Sequence, residues 1–320
     1  MLYLCNFILT LGETILINIL IISLCILGLW GGATWVVETA SRMAKKLGLS
    51  DLVIGLTIVA IATSAPEFAV TVSAAFRDQS AISVGNIVGS NIFNLGFILG
   101  FVAIVSPIAI PKILFKRDGF LLFGTGILLL IFFYDLTLTF IEGTILASIL
   151  VGYVIYIIKQ GEEIDEEEIP EGDFKWLDIP RFIIGVATII ISANYLVDSA
   201  SEIARIFGIS EWIIGITIVA AGTSMPELAT SIVAVTKKKH AISAGNLIGS
   251  DLFNMLGVLG VASVIKPLSI GDSEFISLVI LAITLLVLLI MMRTGWKISR
   301  TEGIFLIIIA LFRWGFDFLF

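Results

Sequence analysis

The sequence predicts an all-α membrane protein of about ten transmembrane helices, built as two inverted five-helix repeats. The first observation is composition: of 320 residues, 58% are hydrophobic and 14% charged, with a mean hydropathy of +1.09. Soluble domains carry about 25% charged residues. The second is that the apolar residues form uninterrupted blocks, such as 15–30, 120–133 and 275–292, as bilayer-spanning helices require. The third is an internal duplication.

The duplication is visible in two pairs of segments. Residues 50–67 read SDLVIGLTIVAIATSAPE, and residues 210–227 read SEWIIGITIVAAGTSMPE. Residues 81–94 read AISVGNIVGSNIFN, and residues 241–254 read AISAGNLIGSDLFN. The offset is 160 residues in both pairs, with no gap. Apolar helices that resemble each other by chance share Leu and Ile, but not Gly, Pro, Asn, Ser and Glu in register. The chain therefore contains two copies of one unit.

Each copy is expected to span the membrane five times. The predicted spans lie near 16–41, 52–76, 81–106, 115–134 and 138–158, and near 180–204, 212–235, 241–265, 274–292 and 301–319. An odd number of spans per copy inverts the second copy relative to the first, as in many secondary transporters. The predicted divisions are an apolar segment 1–13, a first repeat 14–158 with its motif at 50–107, an acidic linker 159–179, and a second repeat 180–320 with its motif at 210–267.

The distribution of basic residues predicts the orientation. Nearly all of them fall in loops that would share one side: Arg42, Lys45, Lys46, Lys112, Lys116, Arg117, Lys159, Lys175, Arg181, Lys237, Lys238, Lys239, Arg293, Lys297 and Arg300. The other side would hold Arg77, Arg205, Lys266 and Arg313. The positive-inside rule then puts both termini outside a plasma membrane and the linker in the cytoplasm. Nine acidic residues between positions 162 and 178 indicate that this linker is solvated.

Composition also excludes several classes of function. No basic region is large enough to bind nucleic acid. The single histidine, His240, has no nucleophile beside it within a span, which argues against an enzyme. Cys5 and Cys25 lie in apolar surroundings typical of packing residues. We expect membrane lipid around the protein, no cofactor and no obligate protein partner.

Two carboxylates are the principal candidates for a functional site. Glu67 and Glu227 fall in the middle of predicted spans, where a charge costs several kcal/mol on lenient scales and usually marks an ion or proton path. A structural role would need a buried base as partner, and no Lys, Arg or His lies in the middle of any predicted span. The functional interpretation is therefore favoured.

The residues before each glutamate indicate which ligand it binds. Pro66 and Pro226 have no N–H and clash with the carbonyl four residues earlier, so each helix must loosen and leave carbonyl groups near Ala62 and Gly222 unpaired. Such backbone is tolerated in a membrane only against protein or a water-filled cavity. The nearby hydroxyl groups belong to Thr63, Ser64, Thr223 and Ser224. An all-oxygen set selects hard cations such as Ca2+, Na+ or Mg2+.

The third span of each copy offers complementary groups. Glycines at equivalent positions, Gly85 and Gly89 against Gly245 and Gly249, would permit close helix contact. The polar residues at equivalent positions are Ser90, Asn91 and Asn94 in the first copy and Ser250, Asp251 and Asn254 in the second. Positions 90 and 94 share a helix face and can point at one cavity. For Asn86 and Asn246, a ligand role and interhelical hydrogen bonding are equally favoured.

These motifs resemble those of the sodium/calcium exchanger branch of the Ca2+/cation antiporter superfamily. The segments GLTIVAIATSAPE with GNIVGSNIFN, and GITIVAAGTSMPE with GNLIGSDLFN, are similar to the two α-repeats of that family. The resemblance implies electrogenic exchange of three Na+ for one Ca2+. It implies that Ca2+ binds at Glu67, Glu227, Thr63 and Thr223, and that the full ion-binding set adds Ser64, Ser224, Ser90, Ser250, Asn94, Asn254, Ala60 and Ala220, the alanines through their carbonyl groups.

Two departures from the family pattern affect the choice of coupling ion. Potassium-dependent members carry Asp where this chain has Asn254, so the resemblance argues against a K+ requirement. Asp251 stands where Asn is usual, one turn away. It is either a displaced third carboxylate or a proton-sensing group at the cavity mouth, and Asn91 is a further candidate ligand. An H+/Ca2+ antiporter of the same fold is the alternative to Na+/Ca2+ exchange.

Overall fold

The computed structural model describes the backbone of residues 2–160, 172–209, 218 and 220–319, and the side chains of these except 2–11, 220 and 313–319. Nearly all of it is helical. The helices of the first copy are α1 (Leu2–Leu47), α2 (Asp51–Thr63), α3 (Ala65–Phe76), α4 (Ser80–Val105), α5 (Leu114–Asp135) and α6 (Phe140–Gln160). Those of the second copy are α7 (Asp178–Ile206), α8 (Ala220–Thr223), α9 (Met225–Thr236), α10 (His240–Ile265), α11 (Asp272–Arg293) and α12 (Arg300–Leu319).

These helices confirm the predicted class, a helical membrane protein. In the described part of the chain, seven helices are long and apolar enough to cross a bilayer, and α2 with α3 forms an eighth candidate that bends by 50°. The predicted span 212–235 begins at residues that lie outside the described ones, and the side chains of α12 are described only as far as Phe312. The number of ten spans stays a prediction.

The first helix is longer than the first predicted span. It runs without interruption from Leu2 to Leu47, so the apolar segment 1–13 continues the helix. It ends at Gly48, whose φ of +66° is the left-handed conformation common after a helix C-terminus. Helix α1 packs closely against α7: a Cβ atom on Gly32 would lie 2.8 Å from the carbonyl oxygen of Gly185. Such close contact is typical of small residues at helix interfaces in membranes.

Four two-residue strands join the two copies. Strand β1 (Ile108–Ala109) pairs antiparallel with β4 (Lys297–Ile298), and β2 (Thr137–Leu138) pairs antiparallel with β3 (Leu268–Ser269). Adding the 160-residue offset to β1 gives β3, and adding it to β2 gives β4. The two bridges are therefore equivalent to each other, and each one connects the first copy to the second. The copies contact each other through corresponding segments.

Close helix contacts repeat this relation. A Cβ atom on Gly100 would lie 2.6 Å from the carbonyl oxygen of Gly303, which brings α4 against α12. A Cβ atom on Gly143 would lie 2.7 Å from the carbonyl oxygen of Gly260, which brings α6 against α10. Gly100 and Gly260 are equivalent positions, and so are Gly143 and Gly303. The α4–α12 and α6–α10 contacts are thus equivalent to each other.

At the centre, the described residues show close packing of α2 on α10. On α10, a Cβ atom on Gly249 would lie 2.6 Å from the carbonyl oxygen of Leu56, and one on Gly245 would lie 2.7 Å from that of Leu52. Helix α2 therefore lies directly on α10, as the glycine pattern predicts. The equivalent glycines of α4, Gly85 and Gly89, are exposed, and a Cβ atom there would meet no described atom within 4 Å.

An ion pair marks one end of the α2–α10 contact. Lys239 Nζ lies 2.9 Å from Asp51 Oδ2, and Ser41 Oγ donates to Asp51 Oδ1 at 2.8 Å, so the end of α1 and the start of α2 are joined to the start of α10. We call these contacts the Lys239 clasp. The first-copy equivalent of Lys239 is the uncharged Gln79. The equivalent of Ser41 is Ser201, whose buried hydroxyl has no hydrogen-bond partner among the described residues.

Candidate ion-binding site

Each central glutamate follows a break in its helix. The break between α2 and α3 lies at Ser64, with φ −81° and ψ 10°, and the break between α8 and α9 lies at Ser224, with φ −91° and ψ 6°. The physical cause is the proline two residues later in each copy, which cannot donate to the preceding turn. The glutamates thus lie in the first turn of α3 and α9, where the amide ends of the peptide dipoles favour negative charge.

In the described part of the chain, π-helical segments lie near the breaks. They cover Gly55–Val59 in α2, Phe93–Ile98 in α4 and Phe253–Val258 in α10. Such wider turns are rare and frequently occur at functional sites. The second residue of the α4 and α10 segments is Asn94 and Asn254, respectively. No sequence pattern predicts these turns, which place both asparagines in the widened part of their helices.

The two glutamates are buried and are held by the serines of the opposite copy. Glu67 and Glu227 are 0% exposed. Ser64 Oγ donates to Glu227 Oε1 at 2.9 Å, and Ser224 Oγ donates to Glu67 Oε1 at 3.2 Å. The Oε2 atoms of both carboxylates have no hydrogen-bond partner in the part of the chain that the structure describes. Two buried carboxylate oxygens without partners are costly unless they bind a cation or a proton.

The asparagines of α4 and α10 leave their carbonyl oxygens unpaired as well. Asn94 Nδ2 donates to Asp251 Oδ1 at 3.1 Å, and Asn254 Nδ2 donates to Asn91 Oδ1 at 3.1 Å. The Oδ1 atoms of Asn94 and Asn254, and Oδ2 of Asp251, are buried without a partner among the described residues. Asp251 is 0% exposed, so it does not lie at a solvent-exposed mouth.

Thr63 and Ser250 lie beside the first break. Thr63 Oγ1 donates to Asn246 Oδ1 at 3.0 Å and lies 3.3 Å from Ser250 Oγ, so these residues of the two copies are in contact. The Ala60 carbonyl oxygen accepts from the amide of Ser64 at 3.0 Å and lies within 3.5 Å of both the Thr63 and Ser250 hydroxyl groups. This carbonyl therefore already has hydrogen-bond donors.

The remaining candidates are Ser90, Thr223, Ala220 and Asn91, of which Thr223 makes a side-chain hydrogen bond to Glu67. Ser90 Oγ donates to the carbonyl oxygen of Asn86 at 2.7 Å, one turn earlier in α4. Thr223 ends α8 and is half-buried. Ala220 begins α8, and its side chain lies outside the described residues. Asn91 accepts from Asn254 and donates to the Asp251 carbonyl oxygen at 3.4 Å, so its amide is engaged on both sides.

Sequence reasoning missed two hydroxyl groups that support the glutamate helices. Asn86 Nδ2 donates to Thr71 Oγ1 at 3.0 Å, and Asn246 Nδ2 donates to Ser231 Oγ at 3.1 Å. The recurrence of a hydroxyl residue at equivalent positions, Thr71 and Ser231, was the available signal. These contacts fix α3 to α4 and α9 to α10, and so fix the position of the glutamates.

The resulting site is buried and made of oxygen atoms. Its unpartnered groups are carboxylate and amide oxygens, which prefer hard cations. Among the described residues, no three His, Cys, Asp or Glu side chains converge to hold a metal.

Comparison with known proteins gives a consistent result. Residues 17–159 and 179–313 match the family described as sodium/calcium exchanger protein. The sodium/calcium exchanger MaX1 of Methanosarcina acetivorans is 33% identical over 91% of this chain and 96% of its own length. The putative antiporter CaxA of Alkalimonas amylolytica is 36% identical over 84% of this chain and 88% of its own. The solved structure of the sodium-calcium exchanger NCX_Mj superposes with a TM-score of 0.81 at 30% identity, covering 93% of this chain and 98% of that one. The chain therefore belongs to the sodium/calcium exchanger family.

Proposed function

We propose that this protein is a secondary active antiporter that exchanges Na+ for Ca2+ across the plasma membrane by alternating access. The observation that carries this proposal is the pair of buried glutamates, each hydrogen-bonded by the serine of the other copy and each with one unpartnered carboxylate oxygen. The family to which the chain belongs and its similarity to MaX1 and NCX_Mj support the identity of the two ions.

The charge of the site accounts for exchange. Two carboxylates neutralise one Ca2+ or two Na+, so Ca2+ and Na+ compete for the same negative charge. Binding both together would leave excess positive charge in a site without solvent, where it is costly. Mutual exclusion at one site is what antiport requires.

The proposed ligands are those that the sequence predicts. Glu67, Glu227, Thr63 and Thr223 would bind Ca2+. The other ion-binding groups would be Ser64, Ser224, Ser90, Ser250, Asn94, Asn254, and the carbonyl groups of Ala60 and Ala220. The unpartnered Oδ1 atoms of Asn94 and Asn254 support their inclusion.

Asp251 would be a third carboxylate beside the glutamate pair, linked to the site through Asn94. Its burial and its contact with Asn94 favour this role over that of a proton sensor at the mouth. Asn91 is the weaker of the two additional candidates, because its Oδ1 already accepts from Asn254. A third negative charge suits a third Na+, and exchange of three Na+ for one Ca2+ is electrogenic. With Asn254 in place of an acid, we propose that transport does not require K+.

The proposed membrane arrangement is two inverted five-helix repeats with both termini outside and the 159–179 linker in the cytoplasm. The equivalent strand bridges and glycine contacts between the copies support a two-fold relation. The basic residues of the predicted inner loops support the orientation.

The test is Na+-driven uptake of radiolabelled Ca2+ into proteoliposomes that hold the purified protein. Vesicles loaded with Na+ should accumulate Ca2+ when they are diluted into Na+-free buffer, and adding K+ should change nothing. Uptake that ignores the Na+ gradient but follows a pH gradient in Na+-free buffer would establish the H+/Ca2+ alternative instead.

A pair of variants tests the site within the same assay. Glu67→Gln keeps the shape of the side chain and removes its charge, and should abolish exchange. Glu202→Gln is the matched control, because Glu202 is half-exposed near the end of α7 and, among the described residues, pairs with Arg205 at 3.4 Å. Full activity in Glu67→Gln would contradict the proposed site.

A further inference from the structure

The asparagines of α4 and α10 divide into two kinds by the use of their side-chain oxygen. In Asn94 and Asn254 the Oδ1 atom is buried without a partner among the described residues. In Asn246, Oδ1 accepts from Thr63 Oγ1 at 3.0 Å, and the residue is 0% exposed. An amide oxygen that is already engaged by a hydroxyl is poorly placed to bind an ion as well.

The other end of the Asn246 amide is engaged too. Its Nδ2 donates to Ser231 Oγ at 3.1 Å and lies 3.5 Å from the carbonyl oxygen of Glu227. Ser231 and Glu227 both belong to α9, whereas Thr63 belongs to α2 of the other copy. One amide group therefore bridges the first-copy hydroxyl and the helix that carries the second-copy glutamate.

We propose that Asn246 is a positioning residue for transport, which orients the Thr63 hydroxyl toward the bound cation and fixes it relative to Glu227. This inference rests on the proposed function, in which Thr63 binds Ca2+. It assigns to Asn246 a role that acts through Thr63 and not through contact with the ion.

The reason lies in the geometry of a hydroxyl ligand. A hydroxyl binds a cation through a lone pair, so its hydrogen must point to an acceptor on the other side. A threonine within a helix tends to donate back to a carbonyl oxygen three or four residues earlier, and here the Ala60 carbonyl lies 3.2 Å away. Asn246 Oδ1 is closer at 3.0 Å and lies on a different helix. Ser250 Oγ at 3.3 Å and the Glu227 carboxylate also lie within hydrogen-bond reach of this hydroxyl. Asn246 Oδ1 is thus one of the acceptors that can hold the hydrogen, and it comes from the copy that supplies the opposing carboxylate.

The equivalent residue of the first copy supplies a matched control. Asn86 Nδ2 donates to Thr71 Oγ1 at 3.0 Å and to the Glu67 carbonyl oxygen at 3.3 Å, so it makes the same contacts within its own copy as Asn246 does. Losing Asn86 should therefore disturb a glutamate helix to a similar degree, without removing the acceptor of Thr63.

The experiment is a double-mutant cycle on Na+-driven Ca2+ uptake. Thr63→Val and Asn246→Leu should each raise the KM for Ca2+ by about 5- to 10-fold, the equivalent of one buried hydrogen bond. The maximal rate at saturating Ca2+ should change less than about two-fold. The double variant should be little worse than the more impaired single variant, because both changes remove one interaction.

The control cycle pairs Thr63→Val with Asn86→Leu. In that double variant, the effects of the two single substitutions on KM should multiply. Multiplicative effects in the Asn246 cycle, or equal coupling in both cycles, would overturn the proposal. If Asn246→Leu does not fold, Asn246→Ala takes its place in the cycle. Absence of Na+-driven uptake in the unmodified protein would overturn the proposed function itself, whereas exchange with independent Thr63 and Asn246 effects would overturn only the positioning role.

Discussion

Replacing Gly249 with alanine, which adds one methyl group, should impair the packing of α2 against α10. In the structure, the Cβ atom of an alanine there would lie 2.6 Å from the Leu56 carbonyl oxygen and 2.7 Å from Leu56 Cα. These are backbone atoms, which cannot rotate away as the end of a side chain can. Ordinary contact needs about 3.5 Å, so the two helices must separate by roughly 0.9 Å. Overpacking of this kind typically costs about 1–3 kcal/mol.

The equivalent glycine of the first copy, Gly89, should tolerate replacement by alanine. A Cβ atom on Gly89 would meet no described atom within 4 Å, and Gly89 is exposed. Gly89→Ala should therefore leave the melting temperature within about 1 °C of the unmodified protein, since exposed substitutions away from special features change stability by less than about 0.5 kcal/mol.

The assay combines thermal unfolding in detergent with Na+-driven Ca2+ uptake. We expect Gly249→Ala to lower the melting temperature by several degrees, or, if the packing relaxes by opening, to slow uptake by about 5- to 150-fold, which is the cost above expressed as a ratio. Equal behaviour of the Gly249→Ala and Gly89→Ala variants in both measurements would refute the idea that the two copies are packed differently at these positions.

Three further outcomes are expected. Arg42→Met should lower stability by about 2 kcal/mol, because the buried Asp178 carboxylate loses two hydrogen bonds of 2.8 and 3.1 Å; an unchanged melting temperature would contradict this. Lys239→Gln, which copies the first-copy residue into the second, should speed amide hydrogen exchange in residues 51–59 by loosening the Lys239 clasp; unchanged protection there would count against the clasp. Asp251→Asn should raise the Na+ concentration needed for half-maximal exchange and reduce its cooperativity, and an identical Na+ dependence would exclude Asp251 from the site.

The long apolar helices and the central glutamates were accessible from the sequence for physical reasons. A bilayer demands about twenty apolar residues per helix, which leaves a pattern that composition reveals. A carboxylate in such a helix is expensive, so Glu67 and Glu227 stand out without any structure. Proline places the helix break within the preceding turn, because it lacks the N–H that this turn requires. The exact residue of each break, Ser64 and Ser224, depends on packing and was not predicted.

The different exposure of these equivalent glycines could not be predicted, because the same residue type occupies the equivalent positions in both copies. Gly245 and Gly249 lie against α2, whereas Gly85 and Gly89 are exposed. A sequence pattern indicates where helices can approach, but not which of two equivalent approaches is made in one conformation.

The roles of the asparagines in α4 and α10 could not be predicted from the sequence either. Asn94 and Asn246 are both buried amides in repeated motifs, and they differ only in what their oxygen atoms contact. Hydrogen-bond partners from other helices decide that difference, and the sequence does not name them. The π-helical turns at Phe93–Ile98 and Phe253–Val258 could not be predicted either, because no residue type in them requires the wider turn.

The exchange of serines between the two copies has an evolutionary consequence. Ser64 binds the glutamate of the second copy and Ser224 binds that of the first, so neither copy holds a complete carboxylate environment alone. Under the proposed inverted arrangement, an ancestor with a single copy would have assembled this site as a homodimer whose subunits inserted in opposite directions. Fusion of the two genes would have fixed that antiparallel pairing in every molecule and freed each half to diverge. Asp251 and Lys239 are places where this divergence has occurred, because the equivalent residues of the first copy, Asn91 and Gln79, are uncharged.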